Sequence, residues 1–289
     1  MTQKVSLCRV VKTLRGHPSK EGAGFPVRRP FPAGELQQVD PFLLLDEMGP
    51  VNWPPGEALG APSHPHRGFE TVTYLLEGAM EHRDSVGNVA RIEAGGVQWM
   101  TAGRGVIHSE LPTRAFKERG GAMHGFQLWV NLPKAQKMIA PRYQGVSAEH
   151  LPKWTSEAGD VVARVIAGKA MGLEAVAQTH TPITYLHLSF LAGAAHELPV
   201  DAGQNFYVYV FRGEVEVASE TKVHGEGEFL VLGQGDCVGL KSGGDGAEVL
   251  ILGATPIGES ISRYGPFVMN TREEILQALQ DYHAGTFLE

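Results

Sequence analysis

The stretch Ser63-His-Pro-His-Arg-Gly-Phe-Glu-Thr-Val-Thr-Tyr-Leu-Leu-Glu-Gly78 joins a histidine pair to a run of strand-forming residues. The apolar run at 71–76 ends at a Glu-Gly pair, as a short strand ends at a turn. Similar runs recur along the chain, at residues 125–130, 183–191, 206–211, 228–232 and 248–252. Glycines (36) and prolines (18) are spread between these runs rather than gathered in one linker. This pattern predicts an all-β sandwich or barrel.

Turn and helix signals are consistent with such a fold. Ser85-Val-Gly-Asn88 and Gly243-Gly-Asp-Gly246 are typical of hairpin turns. Thr271-Arg-Glu-Glu274 has the pattern of a capping box and precedes apolar residues at helical spacing. Gly285 supplies a stop, so a short C-terminal helix is predicted. A weaker helix signal lies at residues 133–138.

The chain is also expected to contain two domains. Strand patterning lapses at residues 133–155, where Pro, Lys, Gln and Ser accumulate. After this break Arg212-Gly213 echoes Glu77-Gly78, since each ends a strand and opens another. One β unit used twice explains the echo, although two β-rich runs can also look alike by chance. We predict an N-terminal barrel in residues 1–135 and a C-terminal barrel, with the terminal helix, in residues 136–289.

Charge and cysteine content narrow the class of protein. The 25 basic and 32 acidic residues give a formal net charge of −7, without a basic run that could grip phosphates. Direct nucleic-acid binding is therefore not expected. No apolar run reaches the ~20 residues needed to span a bilayer, and MTQKVSLCRVVKTLRG lacks the apolar centre of a signal peptide. With only two cysteines, Cys8 and Cys237, a cytoplasmic protein that does not bind membranes is expected.

Two pairs of polar residues share the spacing that places side chains on one face of a strand. His64 and His66 form one pair, and His108 and Glu110 form the other. Buried histidines are often ordinary core residues, but several grouped in one barrel are costly unless something compensates them. The spacing therefore predicts a metal site. The face that carries His64 and His66 would continue through Gly68 to Glu70, so Glu70 is expected on the same inward face, either orienting a ligand histidine or lying at the barrel rim.

Four further stretches make a family resemblance specific. They are Val39-Asp-Pro-Phe-Leu-Leu-Leu-Asp46, Val97-Gln-Trp-Met-Thr-Ala-Gly-Arg-Gly-Val-Ile-His-Ser-Glu110, Gln127-Leu-Trp-Val-Asn-Leu-Pro133 and Gly265-Pro-Phe-Val-Met-Asn-Thr271. Together with 63–78 they resemble the motifs of pirins, which are two-barrel members of the cupin superfamily. The resemblance covers nearly the whole chain. The match to the general cupin pattern is looser, because Gly103 stands where the second cupin motif usually has proline.

The resemblance implies two stacked cupin barrels and one mononuclear metal in the N-terminal barrel. The implied ligands are His64, His66, His108 and Glu110, with Glu110 rather than Glu70 as the carboxylate. The C-terminal barrel is expected to be metal-free. Iron(II) is the metal that the family favours, while the N₃O donor set leaves Zn, Mn, Ni, Co and Cu open.

The resemblance also implies an activity, the 2,3-dioxygenation of flavonols such as quercetin with O₂. Glu110 would then accept the proton of the flavonol 3-hydroxyl. The alternative is an iron-binding regulatory protein that responds to redox state and acts through a protein partner. A monomer is expected in either case. Four side chains are candidates for an apolar entry, although a packing role is the more common one for each of them; they are those of Phe69, Met100, Phe126 and Trp129.

Overall fold

Antiparallel strands dominate the computed structural model, which describes residues 6–34, 36–218 and 220–289. Residues 1–5 of the N-terminal stretch considered above lie outside the described residues. The strands, in chain order, are β1 (Val10–Arg15), β2 (His17–Glu21), β3 (Phe25–Phe31), β4 (Phe42–Trp53), β5 (Ala61–His66), β6 (Phe69–Glu77), β7 (Ala79–Asp84), β8 (Val89–Glu93), β9 (Val97–Thr101), β10 (Val106–Pro112), β11 (Gly121–Asn131), β12 (Arg142–Val146), β13 (Lys153–Thr155), β14 (Val161–Ala167), β15 (Lys169–Ala170), β16 (Leu173–Glu174), β17 (Ile183–Phe190), β18 (Ala195–Pro199), β19 (Asn205–Val217), β20 (Val223–Gly225), β21 (Glu228–Leu232), β22 (Cys237–Ala254), β23 (Ser262–Tyr264) and β24 (Phe267–Met269). The predicted all-β fold is confirmed.

Two α-helices accompany these strands in the described chain, α1 (Arg114–Arg119) and α2 (Arg272–Ala284). Helix α2 confirms the predicted terminal helix, since Thr271 and Glu274 form a capping box and Gly285 ends the helix in a left-handed conformation. Helix α1 has no counterpart among the predicted elements, and the signal at 133–138 corresponds only to a 3₁₀ turn, Lys134–Gln136. Neither helix has the length and apolar character needed to cross a membrane.

The N-terminal unit consists of His17–Ala148 together with Ile257–Glu289. Its larger sheet has seven strands in the order β12-β9-β6-β11-β4-β3-β2, and its smaller sheet has four in the order β5-β10-β7-β8. Side chains of the two sheets meet, because Thr73 on β6 donates a hydrogen bond to Glu110 on β10. Polar groups of both sheets therefore face a common interior.

The C-terminal unit contains the segment ending at Gly16 and Glu149–Pro256. Its main sheet follows the order β1-β21-β19-β22-β17-β14-β13, with β18 and β20 attached to β22 and β19. Apolar side chains fill its interior, among them those of Val165, Leu188, Val210, Val238 and Ile251. This core forms because alternate residues along each strand point to the same face.

The units differ from the predicted domains in three respects. The boundary lies between Ala148 and Glu149 rather than at residue 135, Ile257–Glu289 groups with the N-terminal unit rather than with the C-terminal barrel, and the segment ending at Gly16 groups with the C-terminal unit rather than with the N-terminal barrel. Long-range contacts explain the second difference. Buried Arg67 pairs with Asp281 on α2 at 2.5 Å and donates to the Phe287 carbonyl at 3.1 Å. Local sequence patterns, from which the domain boundary was predicted, do not indicate contacts between residues this far apart in the chain.

Lys137 links β24 of the terminal segment to β11 and to the turn between β5 and β6. Its side chain is 1% exposed, and its ammonium donates to Gly68 O at 2.8 Å, Asn131 Oδ1 at 2.7 Å and Val268 O at 3.0 Å. Burial lowers the pKa of Lys137 to about 8, so the side chain is still mostly charged at neutral pH.

Replacing Lys137 with methionine is expected to destabilise the N-terminal unit by ~3 kcal/mol, because three buried acceptors lose their donor. Thermal unfolding of the full chain measures the loss. Lys134→Met is the matched control, since the Lys134 side chain is exposed, and it should change stability by less than ~0.5 kcal/mol. Equal unfolding midpoints for the two variants would contradict a stabilising role for the Lys137 contacts.

Candidate functional site

The two histidine-bearing strands lie side by side in the smaller sheet. Strand β10 pairs antiparallel with β5, with His108 opposite His64. The Nε2 atoms of His64 and His66 are 3.0 Å apart, and the ring centroids of His64 and His108 are 4.4 Å apart. One donor atom from each of the three imidazoles falls within 4.8 Å of the others. The structure thus brings together the three histidines singled out from their spacing.

The Nδ1 atom of each of these imidazoles lies within hydrogen-bond distance of a neighbouring residue. His64 Nδ1 lies 2.7 Å from Pro62 O, and His66 Nδ1 lies 3.4 Å from Pro266 O. Burial, followed by the charge of the neighbouring histidines, holds the pKa of both His66 and His108 well below the usual value. The His66 and His108 rings are therefore neutral at physiological pH, and their Nε2 lone pairs are available to a ligand.

Glu110 lies at the edge of this cluster. Its donor atoms do not fall within the 4.8 Å group formed by the histidines. One carboxylate oxygen, Oε1, accepts hydrogen bonds from Thr73 Oγ1 at 2.7 Å and from Gln98 Nε2. Among the described residues, no hydrogen bond is donated to the other oxygen, Oε2. Glu110 is thus held by the larger sheet while its second oxygen stays available.

Glu70 lies on the opposite face of its strand from the one expected. Thr73, three residues later, faces Glu110, so strand alternation directs Glu70 away from the cluster. The Glu70 carboxylate accepts a hydrogen bond from Thr101 Oγ1 at 2.6 Å. Gly68 causes the change of face, because its φ of +88° separates β5 from β6. A Cβ there would also collide with the Val268 carbonyl oxygen.

A cavity of about 510 Å³ opens beside the cluster, a volume typical of small-molecule sites. His64 and His66 lie at its wall together with Glu110, Gln127 and Trp129. Of the four side chains expected to form an apolar entry, Trp129 lines the cavity. Phe69 packs behind it, with ring centroids 5.0 Å from His66 and 4.4 Å from Trp129.

The other two expected entry residues are buried elsewhere in the unit. Phe126 is 0% exposed and stacks on Tyr74 at 6.4 Å. Met100 is 1% exposed and packs with Ala102 and Val106. Phe126 points away from the cavity because side chains alternate along a strand, and Gln127 and Trp129 on the same strand face the cavity.

Charged side chains line the cavity on the side of β3 and β4. Arg29 donates to both Asp46 oxygens, at 2.7 and 2.6 Å, and also pairs with Glu21. Arg29 of this ion cluster belongs to the short basic stretch Val27-Arg28-Arg29-Pro30. Arg263 stacks on the Trp129 ring, with its Cζ 4.7 Å from the centroid, and donates one hydrogen bond to Leu43 O. The Arg263 guanidinium therefore keeps donors available at the cavity.

Sequence reasoning missed several residues that support the cluster. Thr73 and Gln98 hold Glu110, and His82 and Asp84 reach His108 from β7. For the second pair a signal was present, because His82 and Asp84 have the same i, i+2 spacing as His64 and His66. The contacts of Thr73 and Gln98 with Glu110 had no such signal, because they depend on which strands become neighbours in the fold.

The donor set fits a divalent transition metal. His108 Nε2 is buried and has no hydrogen-bond partner among the described residues, an arrangement that costs free energy unless a ligand is bound there. Neutral imidazole nitrogens and an adjacent carboxylate are typical ligands of Fe, Mn, Co, Ni, Cu and Zn. A metal held by His64, His66 and His108 would satisfy the buried nitrogen.

The chain is similar to known proteins over nearly its full length. Pirin matches residues 24–130, and the pirin C-terminal cupin domain matches residues 185–288. A "Pirin-like protein" of Solanum lycopersicum is 42% identical over 281 residues, covering 96% of this chain and 91% of its own length. The "Pirin" of Mus musculus is 39% identical and covers 95% of this chain and 92% of its own length.

A solved structure extends the similarity to three dimensions. The crystal structure titled quercetin 2,3-dioxygenase from Acinetobacter baumannii superposes with a TM-score of 0.92 at 37% identity, covering 97% of this chain and 98% of that one. Both halves of the sequence match, and the fold agrees throughout. The chain therefore belongs to the pirin family of two-domain cupin proteins.

Proposed function

We propose that this protein is a metal-dependent dioxygenase that opens flavonols such as quercetin. In this proposal His64, His66, His108 and Glu110 hold one divalent metal, Fe(II) by preference. The reaction takes place in the cytoplasm, where Cys8 and Cys237, both buried and unbridged, remain reduced. The similarity to the Acinetobacter protein titled quercetin 2,3-dioxygenase supports the choice of reaction.

The observation that carries the proposal is the position of the imidazole cluster at the wall of the cavity. His64 and His66 belong both to the cluster and to the lining of the roughly 500 Å³ space beside it. A fused aromatic substrate fits such a volume. When bound, the metal supplies Lewis acidity and redox chemistry with O₂ at this wall.

The chain supplies binding groups for a flat, oxygen-rich substrate. The Trp129 ring gives the cavity an aromatic wall, and its edge contact with His66, 5.3 Å between centroids, places that wall beside the cluster. Arg263 covers part of the ring and offers N–H donors to phenolic oxygens. These contacts orient a flavonol with its 3-hydroxyl toward the histidines.

Glu110 is the group placed to move a proton. Its Oε1 atom is fixed by Thr73 and Gln98, so the carboxylate has a defined orientation. Its Oε2 atom receives no hydrogen bond from the described residues, so this oxygen would hold the metal and, on loosening from it, would accept the 3-hydroxyl proton. A carboxylate is a suitable base for an acidified enol, since proton transfer needs a partner within hydrogen-bond reach.

Turnover is expected to require the 3-hydroxyl of the flavonol. The ferrous protein should consume O₂ with quercetin, whereas luteolin, the same skeleton without the 3-hydroxyl, should give no uptake. The reason is that luteolin fits the cavity but offers Glu110 no proton at this position. An oxygen electrode measures both rates, with metal-free protein as the control. Absence of uptake with quercetin at full ferrous occupancy would contradict the proposed activity.

A further inference from the structure

A chain of hydrogen-bonded groups runs from β7 to the cluster histidine that lies deepest. Asp84 Oδ2 lies 3.0 Å from His82 Nε2, and His82 Nδ1 lies 3.5 Å from His108 Nδ1. The side chains of His82 and Asp84 are 0% and 2% exposed. His82 is also packed against Tyr143, with ring centroids 4.5 Å apart. Water therefore has little access to the chain, and the three groups satisfy one another.

The protons of this chain can be placed by elimination. An ionised carboxylate only accepts hydrogen bonds, so His82 Nε2 must carry a proton and donate it to Asp84. With the His82 ring neutral, its other nitrogen is an acceptor, so His82 Nδ1 presents a lone pair. His108 Nδ1 faces that lone pair and must be the donor. The His108 proton is thereby fixed on Nδ1, which leaves Nε2 unprotonated.

Hydrogen bonds donated by residues of its own turn hold the Asp84 carboxylate in place. Its Oδ1 atom accepts from Val86 N at 3.0 Å and Asn88 N at 2.9 Å, and its Oδ2 atom accepts from Asn88 Nδ2 at 2.8 Å. The same turn is bound to β10, because Ser85 N donates to Ile107 O at 2.8 Å. The hairpin turn predicted at residues 85–88 thus anchors the outer end of the chain next to His108.

We propose that Asp84 and His82 are positioning residues that fix His108 in the tautomer required of a metal ligand. Two imidazoles that meet Nδ1 to Nδ1 can form a hydrogen bond only if one of them accepts, and Asp84 decides which one does. This choice leaves His108 Nε2, which is buried and has no hydrogen-bond partner among the described residues, with a lone pair for the metal. The tautomer follows from the described contacts and a neutral His82 ring, whereas the effect on metal affinity rests on the metal site proposed above.

Asp84→Asn is the diagnostic substitution, because it keeps the shape and replaces the acceptor that faces His82 with a donor; it also removes the acceptor of Asn88 Nδ2, which the Asn88→Ala control tests separately. The amide oxygen should retain the two backbone donors of the turn, so the NH₂ group faces His82 Nε2. His82 then carries its proton on Nδ1, and two N–H groups would oppose each other unless the His108 proton moves to Nε2. A protonated Nε2 atom blocks the metal, as an asparagine in place of a carboxylate gives the wrong histidine tautomer in serine proteases.

Metal affinity of the full chain, measured by competition with a chelator, should fall ~10- to 100-fold in Asp84→Asn. Asn88→Ala is the matched control. It removes a turn hydrogen bond to Asp84 Oδ2 but leaves the acceptor that faces His82, so its affinity should stay within ~3-fold of wild type. Equal loss in the two variants, or no loss in Asp84→Asn, would overturn the proposal.

A second measurement decides the tautomer without any metal. Nitrogen-15 NMR of the metal-free full chain should show His108 protonated on Nδ1 in the wild type and in Asn88→Ala, and on Nε2 in Asp84→Asn. An Nε2-protonated His108 in the wild type would overturn the proposal. A wild-type chain that binds no metal yet shows the expected tautomers would contradict the proposed metal site and leave the positioning role supported.

Discussion

Replacing His108 with alanine is expected to empty the metal site. His64 and His66 are neighbours on one strand, whereas His108 comes from the adjacent strand and completes the cluster. Loss of a residue that only orients a metal ligand typically weakens binding ~10- to 100-fold, so loss of a ligand itself should weaken it by at least ~100-fold. Elemental analysis after dialysis should return close to one metal per wild-type chain and almost none for His108→Ala.

His124→Gln provides the matched control for this loss. His124 is a buried histidine of the same unit, but its Nε2 atom lies 2.9 Å from the Glu47 carboxylate. Glutamine can donate to the same carboxylate, so this variant should keep its metal. A His108→Ala protein that retains metal would contradict the proposed ligand set. Close to two tightly bound metals per wild-type chain would contradict the expectation of a metal-free C-terminal barrel.

The parts of the site that could be predicted from sequence are those set by local geometry. The i, i+2 spacing of His64 and His66, and of His108 and Glu110, follows from the strand repeat and needs no knowledge of the fold. The capping box at Thr271 is equally local. Each of these expectations depends on residues within a few positions of one another, where periodicity is a direct physical consequence of backbone conformation.

The remaining features depend on pairings that no local pattern specifies. Thr73 meets Glu110 because the two sheets pack face to face, and Gln98 joins them because β9 lies next to β6. The change of strand face at Gly68 depends on a close approach of Val268, a residue 200 positions further along the chain. Arg67 and Asp281 are likewise 214 positions apart. Such contacts become visible only when the chain is folded.

Replacing Glu110 with glutamine is expected to lower kcat for quercetin by ~100- to 10,000-fold, the range typical of a lost general base. Glutamine has nearly the same shape, and its carbonyl oxygen can still accept from Thr73 and Gln98. The amide cannot accept the 3-hydroxyl proton in the way a carboxylate does. Because Glu110 is also a proposed ligand, the assay should be run at saturating Fe(II), with metal content measured on the same sample.

Glu70→Gln is the matched control for Glu110→Gln, because it changes a buried carboxylate to which no catalytic role is assigned. Glu70 is also a fully buried carboxylate of the same unit, but it is directed away from the cluster and accepts a hydrogen bond from Thr101. Glutamine preserves that acceptor, so this variant should retain its metal and most of its activity. A Glu70→Gln protein that loses turnover while Glu110→Gln keeps it would show that the two carboxylates had been assigned the wrong roles.

If both variants and the wild type bind iron but none consumes quercetin, a redox-responsive regulator becomes the better explanation. Its signature would be a partner affinity that differs between ferrous and ferric protein.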